Sequence, residues 1–240
     1  MGVLRYIRCI FNVMGPQEIY YNKFAVDHWK SILNCPDPEY WTTDYESQGR
    51  VYQEMKKRVD VQKEWIKKLF DPAEMILDIG CGFGRQAFWM AKAGYNITGI
   101  DTSGTFVKLA EKLFEKHHLT GNFIYSDVYN MDSNEKFKQV LLLDVLEHIP
   151  PVQRIRFLER ISQLMLPNGI LFVSLPLVKD RLRSRINNAR KLYTSFFSKN
   201  EEHPYPIPTK KKINKLMGSL FNLKEAAEVN DTGFYIFERK

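Results

Sequence analysis

Four aspartates and one glycine-rich turn have the spacing on which chemistry could be built. Asp78 lies in the short apolar run Ile76-Leu77-Asp78-Ile79, which leads straight into Gly80-Cys81-Gly82-Phe83-Gly84. Asp101 closes Ile97-Thr98-Gly99-Ile100, Asp127 follows Phe123-Ile124-Tyr125-Ser126, and Asp144 follows the apolar stretch ending at Leu143. An apolar run, a glycine turn, a helix and a second apolar run ending in a carboxylate make one βαβ unit of about 30 residues with a right-handed crossover. Such a unit presents a ligand site at the carboxyl ends of its strands. Arg85 stands where a dinucleotide fingerprint places its third glycine, so a pyrophosphate ligand is disfavoured. Glycines let a ligand approach the backbone, and Asp78 suits an ammonium group. Asp101 suits ribose hydroxyls, Asp127 suits an adenine amino group, and Asp144 marks the end of a fourth strand. A ligand with amine, ribose and base in that order is S-adenosylmethionine.

The elements that must hold these residues alternate regularly. Strands are predicted at about 75–79, 96–100, 122–126, 138–143 and 169–175, with helices at about 84–93, 103–117 and 151–165 between them. The loop Pro167-Asn168-Gly169 leads into the fifth strand. Phe221 to Glu228 and Gly233 to Glu238 form a strand pair joined across Asn230-Asp231-Thr232-Gly233. The expected fold is α/β: a doubly wound, mostly parallel, seven-stranded sheet with an antiparallel C-terminal strand, a helical N-terminal extension and a helical insertion after strand 5. Residues 1–73 form the extension or substrate cap, and 74–240 form a Rossmann-like domain that includes a lid-like insertion at 177–208. Within the cap, Leu4, Ile7, Phe11 and Met14 share one helical face, Pro16 punctuates, and Arg50 to Phe70 reads as a helix. Its one face carries Val51, Met55, Val59, Gln62, Ile66 and Leu69.

Composition narrows the function classes. The 240 residues suit one α/β core with additions. No run approaches the roughly 18 apolar residues of a membrane span. Cys9, Cys35 and Cys81 are scattered without metal or disulfide spacing. Arg5 and Arg8 interrupt the apolar N-terminus and break the order of a secretory signal, so a cytoplasmic protein with reduced thiols is expected. The net charge is +7, and residues 177–240 hold 14 Lys and Arg against 7 Asp and Glu, so the bias sits in the C-terminal quarter. Anionic lipid, nucleic acid or an acidic metabolite would each be drawn to it.

Residues from about 75 to 176 resemble a class I S-adenosylmethionine-dependent methyltransferase. Asp78 to Gly84 matches its first motif, Asp101 its ribose acid, and Ser126-Asp127-Val128 its adenine-contacting turn. Leu143-Asp144-Val145-Leu146-Glu147-His148-Ile149-Pro150 is similar to the segment after strand 4 in small-molecule and quinone O-methyltransferases, and Leu166 to Ile170 to the turn into strand 5. One departure is Phe137-Lys138, where the family often has Phe-Asp. The resemblance covers a little under half the chain. It implies a cofactor site of Asp78, Gly80, Cys81, Gly82, Gly84, Asp101, Thr102, Asp127, Val128 and Asp144.

His148 and Glu147 carry two readings. In one they cap the helix beginning near Pro151. In the other His148 is the catalytic residue, positioning the acceptor or taking its proton. Asp144, Glu147, His148 and His203 would also suit a divalent ion, and the spacing resembles the metal-binding Glu-x-x-Glu-His pattern of ubiquinone-type and small-RNA 2′-O-methyltransferases, with Asp144 as the first acid. Leu182, Ile186, Ala189, Tyr193 and Phe196 share a face flanked by Arg181, Arg183, Arg185, Arg190 and Lys191, which suits either a pocket lid or an anionic membrane surface. The expected activity is methyl transfer to a small or lipophilic acceptor, such as a phenol, quinol or lipid-linked group, in a pocket to which Trp41 and Tyr45 contribute. Two rival readings are an RNA methyltransferase, for which no recognisable RNA-binding module is present, and a non-catalytic binding module on the same fold.

Overall fold

The computed structural model describes residues 16–132, 134–177, 205–206 and 209–240. The expected helical face from Leu4 to Met14, the basic stretch from Arg181 to Phe197, and His203 lie outside the described residues.

The cap opens with helix α1 (Pro16–Asn34). Pro16 begins this helix, since the first helical position needs no N–H donor and favours proline's fixed φ. A 3-10 turn (Pro38–Tyr40) precedes α2 (Arg50–Leu69), which ends as Phe70 turns extended ahead of Asp71-Pro72. Then come β1 (Met75–Ile79), α3 (Arg85–Lys92), β2 (Asn96–Asp101), α4 (Gly104–Lys116), β3 (Asn122–Tyr125) and β4 (Phe137–Leu143). A 3-10 turn (Leu146–His148), α5 (Arg154–Leu164), β5 (Met165–Pro176), α6 (Lys210–Met217), β6 (Phe221–Val229) and β7 (Thr232–Arg239) complete the order.

Two boundaries differ from expectation. Strand β5 begins at Met165, which pairs with Phe137, and pairing resumes at Gln139 with Ile170. Pro167-Asn168-Gly169 is therefore bulged out within the strand. A Cβ on Gly169 would lie 2.9 Å from the Leu166 carbonyl and 3.0 Å from that of Lys138, so glycine is required there. Helix α5 starts at Arg154 rather than near Pro151, because residues 151–153 form a turn.

The seven strands order as β3-β2-β1-β4-β5-β7-β6, with β7 antiparallel to both neighbours and β1 to β5 parallel. The last hairpin turns on Asn230 and Asp231, both with positive φ, which suits the right-handed strand twist. Alternate side chains divide the core into two layers. Ile76, Leu141, Phe172 and Phe234 join the cluster with residues of α1 to α4, whereas Leu77, Val140, Leu142, Leu171 and Val173 join that with α5 and α6. Strand order reverses direction between β1 and β4, and the crevice of an open α/β sheet lies at the carboxyl ends of such strands. No helix among the described residues is long and apolar enough to cross a membrane.

Candidate functional site

The glycine turn after β1 is held by backbone bonds to β2. The amides of Gly80 and Cys81 both donate to the Ile100 carbonyl, at 2.8 and 3.1 Å. The Gly82 amide donates to Asp101 Oδ2 at 2.8 Å, and the Ser103 amide to Asp101 Oδ1 at 2.7 Å. Gly80 has φ +74°, and a Cβ there would lie 2.5 Å from Val145 Cγ2, so the turn fits tightly under the segment after β4. Gly82 has φ +56°, yet no atom of the described residues comes within 4 Å of a Cβ placed on it. Its backbone faces an open cradle beside Asp101. Gly84, also left-handed, is the N-cap of α3.

Two acids sit against this cradle. Asp78 is buried, and burial followed by the charge of Asp101 pushes its carboxyl up to about 7. Among the described residues no donor serves its side chain. Asp101 is pushed up to about 6 by burial, against the pull of the Ser103, Gly82 and Thr102 amides. Thr102 itself is exposed beside it. Cys81 packs its sulfur against Gly99, and burial with the two acids raises its thiol well above the usual range. It is a packing group, since nucleophilic thiols need the opposite shift.

The remaining expected cofactor residues are engaged in other ways. Asp127 Oδ1 accepts from the Tyr129 and Asn130 amides at 2.8 and 3.1 Å, capping its own turn. The Val128 side chain belongs to the core on the α5 side, and its carbonyl accepts from Arg160 Nε at 3.0 Å. Asp144 adopts φ +58°, with its carboxylate 2.7 Å from Arg58 Nη2 and accepting from Ser174 Oγ at 3.2 Å.

Glu147 and His148 lie on the 3-10 turn after β4, and neither caps α5, whose N-cap is Gln153 without a side-chain bond. Glu147 is fully buried, and both carboxyl oxygens lack a hydrogen-bond partner among the described residues. Burial and then the Asp144 charge push it up to about 8, so it is mostly neutral at pH 7. Of the four groups that could suit a divalent ion, Asp144 is paired with Arg58 and His203 lies outside the described residues. Among the described residues no group of three or more metal-ligating side chains converges.

The cap supplies partners that sequence reasoning missed. Arg58 and Gln62 sit one helical turn apart on α2, and Trp65 on that helix stacks on Phe172 of β5 at 5.5 Å. This face therefore runs along β5, carrying Arg58 to the carboxyl edge. A buried polar chain follows: Trp89 Nε1 donates to Gln86, Gln86 to Gln62 Oε1, Gln62 to Ser174 Oγ and Ser174 to Asp144. From α1, Asn22 Oδ1 accepts from Ser103 Oγ and the Thr105 amide, and the Tyr21 hydroxyl lies 3.2 Å from His148 Nε2. Gln62 was the one available signal, a polar residue on an otherwise apolar helical face.

An aromatic row crosses from the cap to this edge. Trp41 meets Phe83 at 5.8 Å between centroids, Phe83 meets Phe106 at 6.2 Å, Phe106 meets Tyr21 at 5.9 Å, and Tyr21 meets His148 at 5.6 Å. Trp41 is itself buried in this packing, while Tyr45 bonds Asp37 and packs edge-on to Tyr52.

Residues 76–169 match the family model described as a methyltransferase domain. Among curated relatives, the ubiquinone biosynthesis O-methyltransferase of Rickettsia typhi is 27% identical over 159 residues, covering 62% of this chain and 64% of that protein. The Rickettsia prowazekii protein of the same name is 26% identical over 201 residues, covering 76% of this chain and 79% of that one. The Rhodopseudomonas palustris (strain HaA2) protein of that name is 37% identical over 99 residues, so the match spans only 38% of its length. Magnesium protoporphyrin IX methyltransferase from Synechocystis, solved with bound SAH, shares the fold with a TM-score of 0.68 at 21% identity, covering 93% of this chain and 97% of that one. The glycine turn and its acids thus lie within the stretch that matches a methyltransferase domain, and the fold around them is shared with a methyltransferase solved with bound SAH.

Proposed function

We propose that this chain moves a methyl group from S-adenosylmethionine to a hydroxyl of a small, lipophilic acceptor such as a phenol, quinol or lipid-linked group. The observation that carries the reading is the aromatic row ending on His148, an apolar wall closed by one titratable nitrogen at the edge that carries the glycine turn. The names of the Rickettsia and Rhodopseudomonas relatives, all ubiquinone biosynthesis O-methyltransferases, agree with an acceptor of that chemistry.

The residues around the cradle fit the cofactor. Asp78 is a buried carboxyl without a donor, which an ammonium would satisfy. The open space at Gly82 admits a ligand against the backbone of Gly80, Cys81, Gly82 and Gly84. Each Asp101 oxygen already accepts one amide but keeps a lone pair for a ribose hydroxyl, with Thr102 beside it. Asp127 and Val128 are assigned to the adenine end, Val128 through its backbone. Asp144 is assigned to the wall between donor and acceptor, its charge balanced by Arg58. When bound, the cofactor supplies a methyl carbon made electrophilic by a sulfonium.

What remains for the protein is alignment and proton removal. The cap and the aromatic row would exclude water and hold the acceptor hydroxyl in line with the methyl group the cofactor supplies. With the cofactor bound, His148 would take the proton of the acceptor hydroxyl, so that transfer of the methyl from sulfur, which leaves a neutral thioether, would not leave a cationic product oxygen. The test is transfer of label from methyl-labelled cofactor to a panel of phenols, quinols and RNA. Label is expected in the phenol or quinol fraction, and His148→Ala is expected to lower kcat about 100-fold or more with cofactor affinity unchanged. Label in RNA alone, or no cofactor binding by calorimetry, would overturn the reading.

A further inference from the structure

Helix α2 packs on the sheet with apolar residues on either side of one amide. Its buried residues are Val59, Gln62 and Ile66, and Gln62 is only 2% exposed. An apolar side chain at 62 would need no partner, whereas a buried amide must find both a donor and an acceptor. Gln62 finds both: its Oε1 accepts from Gln86 Nε2 at 2.5 Å, and its Nε2 donates to Ser174 Oγ at 3.2 Å. Gln86 Oε1 accepts in turn from Trp89 Nε1 at 2.7 Å, and Ser174 Oγ donates to Asp144 Oδ1 at 3.2 Å. Gln86, Trp89 and Ser174 are buried as well, so the chain runs through the core until it reaches Asp144.

The two ends of this chain fix its direction. An indole N–H can only donate, so Gln86 must turn its oxygen to Trp89 and its amide nitrogen to Gln62. Gln62 must then present its oxygen to Gln86 and its nitrogen to Ser174, which leaves the Ser174 proton for the Asp144 carboxylate. Turning either amide over would set two N–H donors face to face. At the far end Ser174 pins Asp144 twice, because its carbonyl also accepts from the Asp144 amide at 2.8 Å. The other Asp144 oxygen lies 2.7 Å from Arg58 Nη2, one turn before Gln62 on the same helix. Helix α2 therefore reaches one carboxylate by two routes, directly and through β5. Val145 follows Asp144 in the chain, and a Cβ on Gly80 would lie 2.5 Å from Val145 Cγ2. Where Asp144 is held, Val145 is set against the first glycine of the turn.

We propose that Gln62 is a positioning residue for cofactor binding, acting through Ser174 to fix the carboxylate of Asp144 and, with it, the segment that closes over Gly80. The inference rests on the reading that Asp144 borders the cofactor. Gln62 touches no ligand on this account; it stands two hydrogen bonds away from the group that does. Without its amide the Ser174 hydroxyl is no longer obliged to aim its proton at Asp144, and the Gln86 nitrogen is left in the core without its acceptor. Asp144 stands at φ +58°, a conformation that a non-glycine residue keeps only when its surroundings hold it there. Loosening one hold therefore loosens the whole segment. A buried polar chain of this kind is costly to maintain, and fixing one arrangement of Asp144 is what it provides.

Gln62→Met keeps the length and the apolar stem of the side chain and removes both amide atoms. In the full chain, its Kd for S-adenosylmethionine by calorimetry is expected to rise about five-fold, and that of Asp144→Ala about ten-fold or more. Adding Gln62→Met to Asp144→Ala is expected to change the Kd by less than about two-fold, because a residue that acts through Asp144 then has nothing left to act on. A residue that only supports the fold would cost its full factor in both backgrounds. That result overturns the proposal, as does an unchanged Kd in Gln62→Met. Trp89→Phe keeps a ring in place, removes only the donor that sets the direction, and covers the case in which Gln62→Met does not fold. Its Kd is expected to rise about two- to three-fold in the natural background and not at all beside Asp144→Ala, and equal rises in both again overturn the proposal. If Asp144→Ala leaves the Kd unchanged, the reading of Asp144 beside the cofactor has failed and the proposal with it. If Asp144→Ala weakens binding while Gln62→Met and Trp89→Phe do not, only the positioning role has failed.

Discussion

The two walls of the site are joined in different ways. On the sheet side the bonds are local and use backbone: Gly82 to Asp101 spans 19 positions and Ser103 to Asp101 spans 2. On the cap side the bonds join side chains far apart in sequence, with Tyr21 and His148 separated by 127 positions, Gln62 and Ser174 by 112, and Glu18 and Tyr125 by 107. A turn that brings backbone against a ligand demands glycine and a nearby acid, so it leaves a motif. A long-range side-chain pair demands only two complementary groups, which many residue types satisfy, so it leaves almost none. The sheet wall, proposed to hold the cofactor, is thus constrained by chemistry, and the cap wall by whatever the cap happens to bring.

That contrast can be broken most forcefully at Asp101. Asp101→Ala removes the acceptor for two amides of the turn and the expected ribose partner together, and is expected to weaken S-adenosylmethionine binding at least about 100-fold by calorimetry. Asn22→Ala, acting one residue removed, is expected to cost roughly five- to ten-fold. Equal losses would mean that the cap holds the cofactor as directly as the sheet does.

The next test asks whether the cap is energetically part of the core. Arg58 and Asp144 are 23% and 31% exposed on their side chains, so their pairing is only partly screened. Each single alanine variant is expected to lower unfolding stability by about 1–3 kcal/mol, and a double-mutant cycle to give a coupling of roughly 1 kcal/mol. The buried chain through Gln62 and Ser174 favours the upper part of that range, since an unpaired group there loses its partner out of reach of water. Zero coupling by denaturant titration would detach the two walls.

The same contrast explains what was legible in the sequence. Buried parallel strands leave continuous apolar runs, so the order of β1 to β5 was readable, and the hairpin of β6 and β7 was marked by Asn230-Asp231. The start of β5 was not, because Met165 joins the sheet across a bulge that its local residues make look like a loop. The spacing of Pro16 to Asn34 does not mark the helix there, whose Tyr21 and Asn22 contact distant strand ends. Gln62 fell on the apolar face of α2, yet its partner Ser174 could not be inferred from spacing. The expected cofactor residues lie along the carboxyl edge of the sheet, but the partners of Asp127 and Asp144 depend on neighbours that only the fold supplies.

A smaller effect separates the two raised carboxyls. Glu147 is held at about 8 against an ordinary 4.5. The unfolded chain ionises first, so the stability this group contributes is present below its unfolded value and is lost as pH rises from about 4.5 to about 8. Glu147→Gln keeps a neutral side chain at every pH and is expected to raise the melting temperature by a few degrees at about pH 8 and hardly at all at about pH 5. A pH-independent difference in thermal denaturation would mean that Glu147 already has a counter-charge.

Asp78 should behave differently, because it lies in the cradle proposed to hold the cofactor and Glu147 does not. Its carboxyl stands at about 7 against an ordinary 3.8, so near pH 6 most of the free protein carries a proton there. An incoming ammonium favours the carboxylate and must expel that proton, and the ribose hydroxyls favour ionised Asp101, which stands at about 6, in the same direction. Cofactor affinity is therefore expected to rise with pH up to about 7 and then level, since above that point no proton remains to be lost. Calorimetry at about pH 6 in buffers of different ionisation enthalpy should report release of roughly one to one and a half protons, falling toward zero near pH 8.5. Asp78→Asn should weaken binding and remove most of the release, whereas Glu147→Gln should leave it in place. If the buffer dependence at pH 6 is absent in the unmodified chain, Asp78 is not the ammonium partner and its burial serves only the turn.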